Sequence, residues 1–193
     1  MTDLVTVVGV GALGSHVIPL LRGCGVRLRA IDFDRVETKN TKSQFFAKNT
    51  VGKNKALSLA QLMQFLWGMK LETFSVRLGS KNAVELLKGS RLVLDCLDNA
   101  QSREIVQDTV RDLGIPCLHG ALAPDGLMGR VIWDEHFIID SEDTAGAATC
   151  EDGDHLPFIA LTSSYLARSA QEFLESGKRL AFDVYPKSPS TRI

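Results

Sequence analysis

The sequence has no excess of charge of either sign: 22 Lys and Arg stand against 23 Asp and Glu. A global positive field is therefore no reason to expect nucleic acid or an anionic membrane surface as partner. Neither is expected, and any partner has to be recognised at a local site. No apolar run approaches the roughly 18 residues that a membrane-spanning helix needs. No charged and apolar leader separates Met1 from the first strand-like run, which sets the expectation of a soluble, cytoplasmic protein. The four cysteines, Cys24, Cys96, Cys117 and Cys150, form no C-x-x-C pair. That spacing disfavours zinc and a disulfide framework alike, so no zinc is expected. Internal repeats and low-complexity segments are absent, and 193 residues fit one domain over 1–186, with a loose tail at 187–193.

What is present is an alternation of Val, Ile and Leu-rich runs with helical periodicity, the pattern of a mostly parallel sheet with helices on both faces. Strands are expected over 4–8, 26–31, 72–77, 92–96 and 116–119, with helices over 13–24, 53–67 and 102–113. From Gly129 the pattern changes. Two short runs at 130–133 and 137–140, separated by Asp134-Glu135-His136, predict a hairpin, so the sheet is expected to turn mixed toward the C-terminal part. An acidic stretch rich in Gly and Ala predicts a mobile crossover loop near 141–156. A last helix over 158–176 and a strand over 179–184 complete the expected α/β, Rossmann-like fold.

Between the first strand and the first helix, Gly9-Val10-Gly11-Ala12-Leu13-Gly14 is a G-x-G-x-x-G turn. Its glycines let backbone and helix N-terminus approach a phosphate closely. Eighteen residues after Gly14, Asp32 ends the second expected strand, where a carboxylate can accept hydrogen bonds from a ribose diol. Glycines and Asp32 fit NAD, FAD or ATP equally. The segment that follows is polar and basic, and places Lys39, Lys42, Lys53 and Lys55 along one loop and helix start. Such a cluster suits a triphosphate better than a nicotinamide cofactor, although ordinary surface lysines on a solvated loop remain the alternative.

Three ordered motifs carry a more specific resemblance. D-x-D-x-V-x-x-x-N appears as Asp32, Asp34, Val36 and Asn40; V-G-x-x-K as Val51, Gly52 and Lys55; D-x-x-D-N-x-x-x-R as Asp95, Asp98, Asn99 and Arg103. Together they resemble the ThiF/MoeB family, which includes the ubiquitin-activating enzymes, over nearly the whole chain from Val5 to about Leu174. The resemblance implies ATP- and Mg²⁺-dependent adenylation of the C-terminal carboxylate of a ubiquitin-like or sulfur-carrier protein ending in Gly-Gly. It implies that Gly9, Gly11 and Gly14 cradle the nucleotide and that Asp32 takes the ribose. Asp34 and Asn99 are carried over as nucleotide-binding, Asn40 and Lys55 as phosphate contacts, and Asp98 as the magnesium ligand. It also implies a homodimer or a heterodimer with a related subunit.

The chain departs from that pattern in two places. Relatives carry an arginine three residues after the motif asparagine, where this chain has Asn40-Thr41-Lys42-Ser43. Either Lys42 supplies the charge as a flexible point cation, or adenylation is impaired. Relatives often place a helix with a partner-reaching arginine ahead of the first strand, whereas here the strand begins at once. Two further readings therefore stay open: a partner-binding subunit without chemistry, and an enzyme of the same type acting on a small molecule or tRNA. Cys150 lies where thiol-using relatives carry an acceptor cysteine, but Glu151, Asp152 and Asp154 should raise its pKa. Asp95 reads as a turn-capping residue and Arg103 as a clamp on its loop, while His16 and His119 read as structural.

Overall fold

The computed structural model describes residues 2–139 and 153–186. In order along the chain it contains β1 (Leu4–Val8), α1 (Ala12–Leu20), β2 (Arg27–Ile31), the one-turn α2 (Asn40–Ser43), α3 (Lys55–Trp67) and β3 (Leu71–Phe74). There follow α4 (Ala83–Leu87), β4 (Leu92–Asp95), α5 (Ala100–Leu113), β5 (Cys117–Leu122), β6 (Gly129–Trp133), α6 (Leu156–Ser176) and β7 (Phe182–Val184). The strands form one seven-stranded sheet in the order β3-β2-β1-β4-β5-β6-β7. β1 to β5 run parallel, and β6 pairs antiparallel with both β5 and β7. The expected α/β class, mostly parallel and mixed toward the C-terminal part, is the observed one.

Strand alternation divides the core between the two faces. Val5, Val7, Leu28, Ala30, Leu92 and Leu94 pack with residues of α1, α3 and α6 in one cluster. Val8, Ile31 and Val93 pack with residues of α4 and α5 in the other. Thr6, buried in this pattern, is satisfied by the hydroxyl of Ser90 at 2.7 Å. Helix ends follow local chemistry: Asn54 and Asn99 cap α3 and α5 by accepting the Leu57 and Ser102 amides, and Gly68 and Gly114 close them in the left-handed region.

One expected element is corrected. Residues 137–139 are not a strand, because β6 already has a strand on each side and leaves no edge for a third partner. The hairpin is instead β5 to β6, and Phe137 stacks on the His119 ring at 4.0 Å between centroids. α4 lay in no expected segment. Of the loop expected near 141–156, residues 141–152 fall outside the described residues, as do Asp140 and the tail 187–193; α6 begins at Leu156, two residues before the expected start.

Candidate functional site

The strand order reverses direction beside β1, whose neighbours β2 and β4 lie on opposite sides, and a crevice opens beyond their carboxyl ends. A cavity of about 560 Å³ occupies it. Gly9, Gly11, Asp32, Asp34, Lys55, Asp98 and Asn99 all line this cavity, although they come from four separate segments.

The three glycines of the turn have different physical roles. Gly9 has φ of +84°, and a Cβ there would lie 2.9 Å from the Cys96 carbonyl oxygen. Gly14 packs away from the cavity: a Cβ would lie 2.0 Å from the Gly9 oxygen, so only glycine lets α1 sit this close to its own turn. Gly11 has open space around its missing Cβ and forms part of the cavity wall, leaving the backbone at the start of α1 approachable.

Asp32 ties this turn to the chain after β2. Its Oδ2 accepts the Val10 amide at 2.6 Å and its Oδ1 accepts the Asp34 amide at 2.8 Å. Burial pushes its carboxyl above the usual range, opposed by the Val10 amide and by Lys55. Lys55, only 9% exposed, keeps its Nζ 3.4 Å from Asp34 Oδ2. Asn54 fixes the start of α3 against the same loop, donating from Nδ2 to the carbonyls of Asp32 at 2.9 Å and Asp34 at 3.1 Å.

On the other side of β1, the chain after β4 is held by a buried polar network. Asp95 accepts His119 Nδ1 at 2.8 Å, Arg103 Nη1 at 3.2 Å and the Leu97 amide at 3.0 Å. Burial alone would raise its carboxyl, but Arg103 and His119 outweigh it and hold the group below the usual carboxylate range. Arg103 also donates to the carbonyls of Leu97 and Gly120, the latter at 2.8 Å, and is the loop clamp the sequence suggested. The second ring nitrogen of His119 meets Asp134 Oδ1 at 3.1 Å, and Asp134 accepts from Gln107 and Arg111. This network presents Asp98, an exposed carboxylate, at the cavity.

Not every expected residue reaches the cavity. Asn40 is buried, and its Oδ1 accepts the Glu37 amide at 2.8 Å, which engages it in shaping its own loop. Lys42 is exposed on α2, beside Gly153, and Lys39 pairs with Glu37 at 3.4 Å; neither lines the cavity, nor does Lys53. Ser43 is fully buried, and its carbonyl lies 2.9 Å from His16 Nε2. Asn99 does line the cavity, but its Oδ1 is spent on capping α5. Cys150 lies outside the described residues. Cys96 and Cys117 are core residues whose thiols burial holds well above the ordinary range.

The cavity also contains residues that carried no sequence signal. Gln44 contributes to the wall, and its Oε1 is buried without a hydrogen-bond partner among the described residues. Phe33, Val76, Arg77 and Leu78 form the wall beyond Asp32, joined by the pairing of β2 with β3.

Comparison with known proteins places this site in context. The sulfur carrier protein adenylyltransferase of Thermus thermophilus is 39% identical over 121 residues, covering 61% of this chain and 45% of the relative. The SAMP-activating enzyme E1 of Haloferax volcanii is 34% identical over 148 residues, covering 70% and 55% respectively. The chain thus spans about half the length of these relatives. Among solved structures, the E. coli tRNA N6-threonylcarbamoyladenosine dehydratase in complex with ATP aligns with a TM-score of 0.70 at 17% identity, over 91% of this chain and 86% of that one. E. coli MccB with MccA-N7isoASN aligns with a TM-score of 0.75 at 14% identity, over 97% and 66%. These two share the fold. The ThiF family model matches residues 3–154, the span that builds the turn, the Asp32 loop, Lys55 and the Asp98 loop, and the chain belongs to the ThiF family.

Proposed function

We propose that this chain uses ATP to adenylate the C-terminal carboxylate of a ubiquitin-like or sulfur-carrier protein. The observation that carries the reading is the cavity itself: a glycine turn and helix N-terminus, a buried carboxylate, a nearly buried lysine and an exposed carboxylate open onto one space. The names of the relatives from Thermus thermophilus and Haloferax volcanii support the same chemistry.

A carboxylate is already ionised at neutral pH, so its attack on the α-phosphorus needs no general base. A bond forms between the carboxylate oxygen and phosphorus, the bond to the bridging oxygen of the β-phosphate breaks, and pyrophosphate leaves with the electron pair. Catalysis then consists of alignment and compensation of charge on the phosphates. The backbone at Gly9 and Gly11 with the start of α1 would hold the phosphates, Asp32 the ribose, and Lys55 would stabilise the developing negative charge. Among the described residues no group of three or more acidic, His or Cys side chains could hold a metal alone. One carboxylate, Asp98, still fits Mg²⁺, which takes one or two protein carboxylates and completes its shell with phosphates and water. When bound there, Mg²⁺ would neutralise phosphate charge. From outside the cavity wall, Lys42 would serve as an auxiliary cation, Cys150 would accept the thioester, and a dimer in the cytoplasm completes the reading.

A partner-binding subunit without chemistry is the second reading, favoured by one observation: Ser43, at the family's arginine position, is fully buried and carries no charge toward the cavity. Exchange of labelled pyrophosphate into ATP with a Gly-Gly-ended carrier separates the two. Activity in the wild type, reduced about a hundredfold or more in Lys55→Ala, is expected. Silence of the folded wild type with its own carrier would refute the enzyme reading.

A further inference from the structure

α3 and α5 are helices of similar length with unlike outer faces. On α5 the exposed side chains are Gln101, Glu104, Asp108, Arg111 and Asp112, the charged surface that water favours. On α3 they are Leu57, Gln61, Gln64, Phe65, Leu66 and Trp67, and none is charged. Phe65 is 84% exposed, Leu57 48% and Trp67 43%. Leu57, Gln61, Gln64 and Phe65 follow one another at helical spacing and form one stripe. Ala56, Leu59 and Met63 of the same helix are buried in the core, so α3 is apolar toward the core and toward water alike. A helix of that composition is one covered on both sides. α3 packs on β3, the edge strand of the sheet, and among the described residues no element of the chain covers the stripe. At its end Trp67 lies under Arg22, whose guanidinium carbon is 4.9 Å from the ring centroid.

We propose that this stripe is where two copies of the chain meet, α3 of one lying antiparallel on α3 of the other. This rests on the proposed dimer and not on the use of ATP. Leu57 and Phe65 stand four positions either side of Gln61. A two-fold axis at Gln61 therefore sets Leu57 of each copy against Phe65 of the other, and Gln61 against its own copy. A contact of this kind brings a surface onto itself, so any charge on it would meet a like charge. The stripe has none. A side-chain amide both donates and accepts, so Gln61 can pair with its own copy across the axis. An acidic or basic partner would find no opposite charge on the stripe to recognise. Aromatic anchors with Arg22 at their edge match the apolar centre and polar rim of a protein interface.

Sedimentation equilibrium of the full chain over a concentration series, for wild type, Phe65→Glu, Gln61→Glu and Gln61→Lys, tests this. Wild type is expected to self-associate. Phe65→Glu, which sets a carboxylate against Leu57 of the other copy, is expected to raise the dissociation constant roughly thirtyfold or more. Gln61→Glu and Gln61→Lys replace an exposed helix residue with another good helix former, so both are expected to fold. Each alone is expected to associate more weakly than wild type, because like charges meet at the axis. An equimolar mixture of the two is expected to recover the association, because glutamate then faces lysine. Two results would overturn the α3 interface and leave the adenylation reading standing: association of Phe65→Glu equal to wild type, or a mixture no tighter than its separate components. A wild type that stays monomeric throughout overturns the proposed dimer together with its interface, and the stripe then belongs to a different protein. Pyrophosphate exchange by the same wild-type preparation judges the use of ATP separately.

Discussion

Replacing Asp95 with asparagine tests the network that positions the Asp98 loop. Asp95 is fully buried and serves three donors: the Leu97 amide, Arg103 and His119. Asparagine keeps the shape but offers one oxygen and no charge, and its amide group presents N–H to donors. Arg103 would then be left as a buried cation with no carboxylate partner, held by the Leu97 and Gly120 carbonyls and the Phe137 ring, 5.3 Å away. Breaking a buried pair from one side costs about 3–5 kcal/mol, which at about 2–4 °C per kcal/mol lowers the melting temperature by roughly 6–20 °C. The pH profile carries a second signature. Asp95 and Asp134 are held below the usual carboxylate range in the folded protein, so they bind protons less readily folded than unfolded. Their contribution is complete above the unfolded value of about 3.9 and is lost as pH falls through the folded value. Asp95→Asn is therefore expected to flatten the acid limb of the stability curve as well as lower it at neutral pH. Adding Arg103→Met removes the stranded cation and recovers part of the loss, though the two carbonyls stay unpaired. Thermal melts from neutral to acid pH suffice as the assay. A single variant with wild-type melting temperature and wild-type acid slope would refute the account of the network.

Gly14→Ala is expected to cost about 3 kcal/mol by thermal denaturation, because its methyl meets the Gly9 carbonyl, whereas Gly11→Ala is expected to melt as wild type yet bind ATP more weakly. Equal melting of the two would refute the division of roles. Asp98→Ala is expected to flatten the magnesium dependence of ATP binding; an unchanged dependence in calorimetry would make Asp98 structural. Cys150→Ala is expected to leave pyrophosphate exchange intact, since the carboxylate meets phosphorus before any thiol takes part. Loss of exchange in that well-folded variant would refute the separation of steps.

The sequence made the frame readable wherever an apolar run was long enough to show its period. β1, β2 and β4 are such runs, and α3 and α5 carry their caps in Asn54 and Asn99. α4 is five residues long, less than two turns, and becomes a helix through packing of Ala83, Leu86 and Leu87 against α5 and the sheet. Phe137 misled because an apolar residue near a turn reads as strand, while its ring is used to cover His119. At the site, Gly9 and Asp32 were legible in the glycine turn and its spacing, and Lys55 and Asp98 in the motifs that resemble the ThiF/MoeB family. Phe33 and Arg77 were not, since 44 positions separate them and only the adjacency of β2 and β3 joins them. Asn40 shows the converse, in that a motif position need not point into the space its neighbours line.

Asn54 has a consequence for the kinetics of the site. One side chain caps α3, grips two carbonyls of the loop after β2 and accepts the Ser75 hydroxyl, so the backbone that bears Lys55 is ordered when the protein folds. A loop that froze only on meeting its ligand would subtract about 1–2 kcal/mol per residue from the affinity and slow the encounter. Here that entropy is already lost before ligand arrives. If Lys55 meets the phosphates as proposed, the anion finds its ammonium group on a preformed backbone, beside Asp34, and the association rate is left to diffusion and charge.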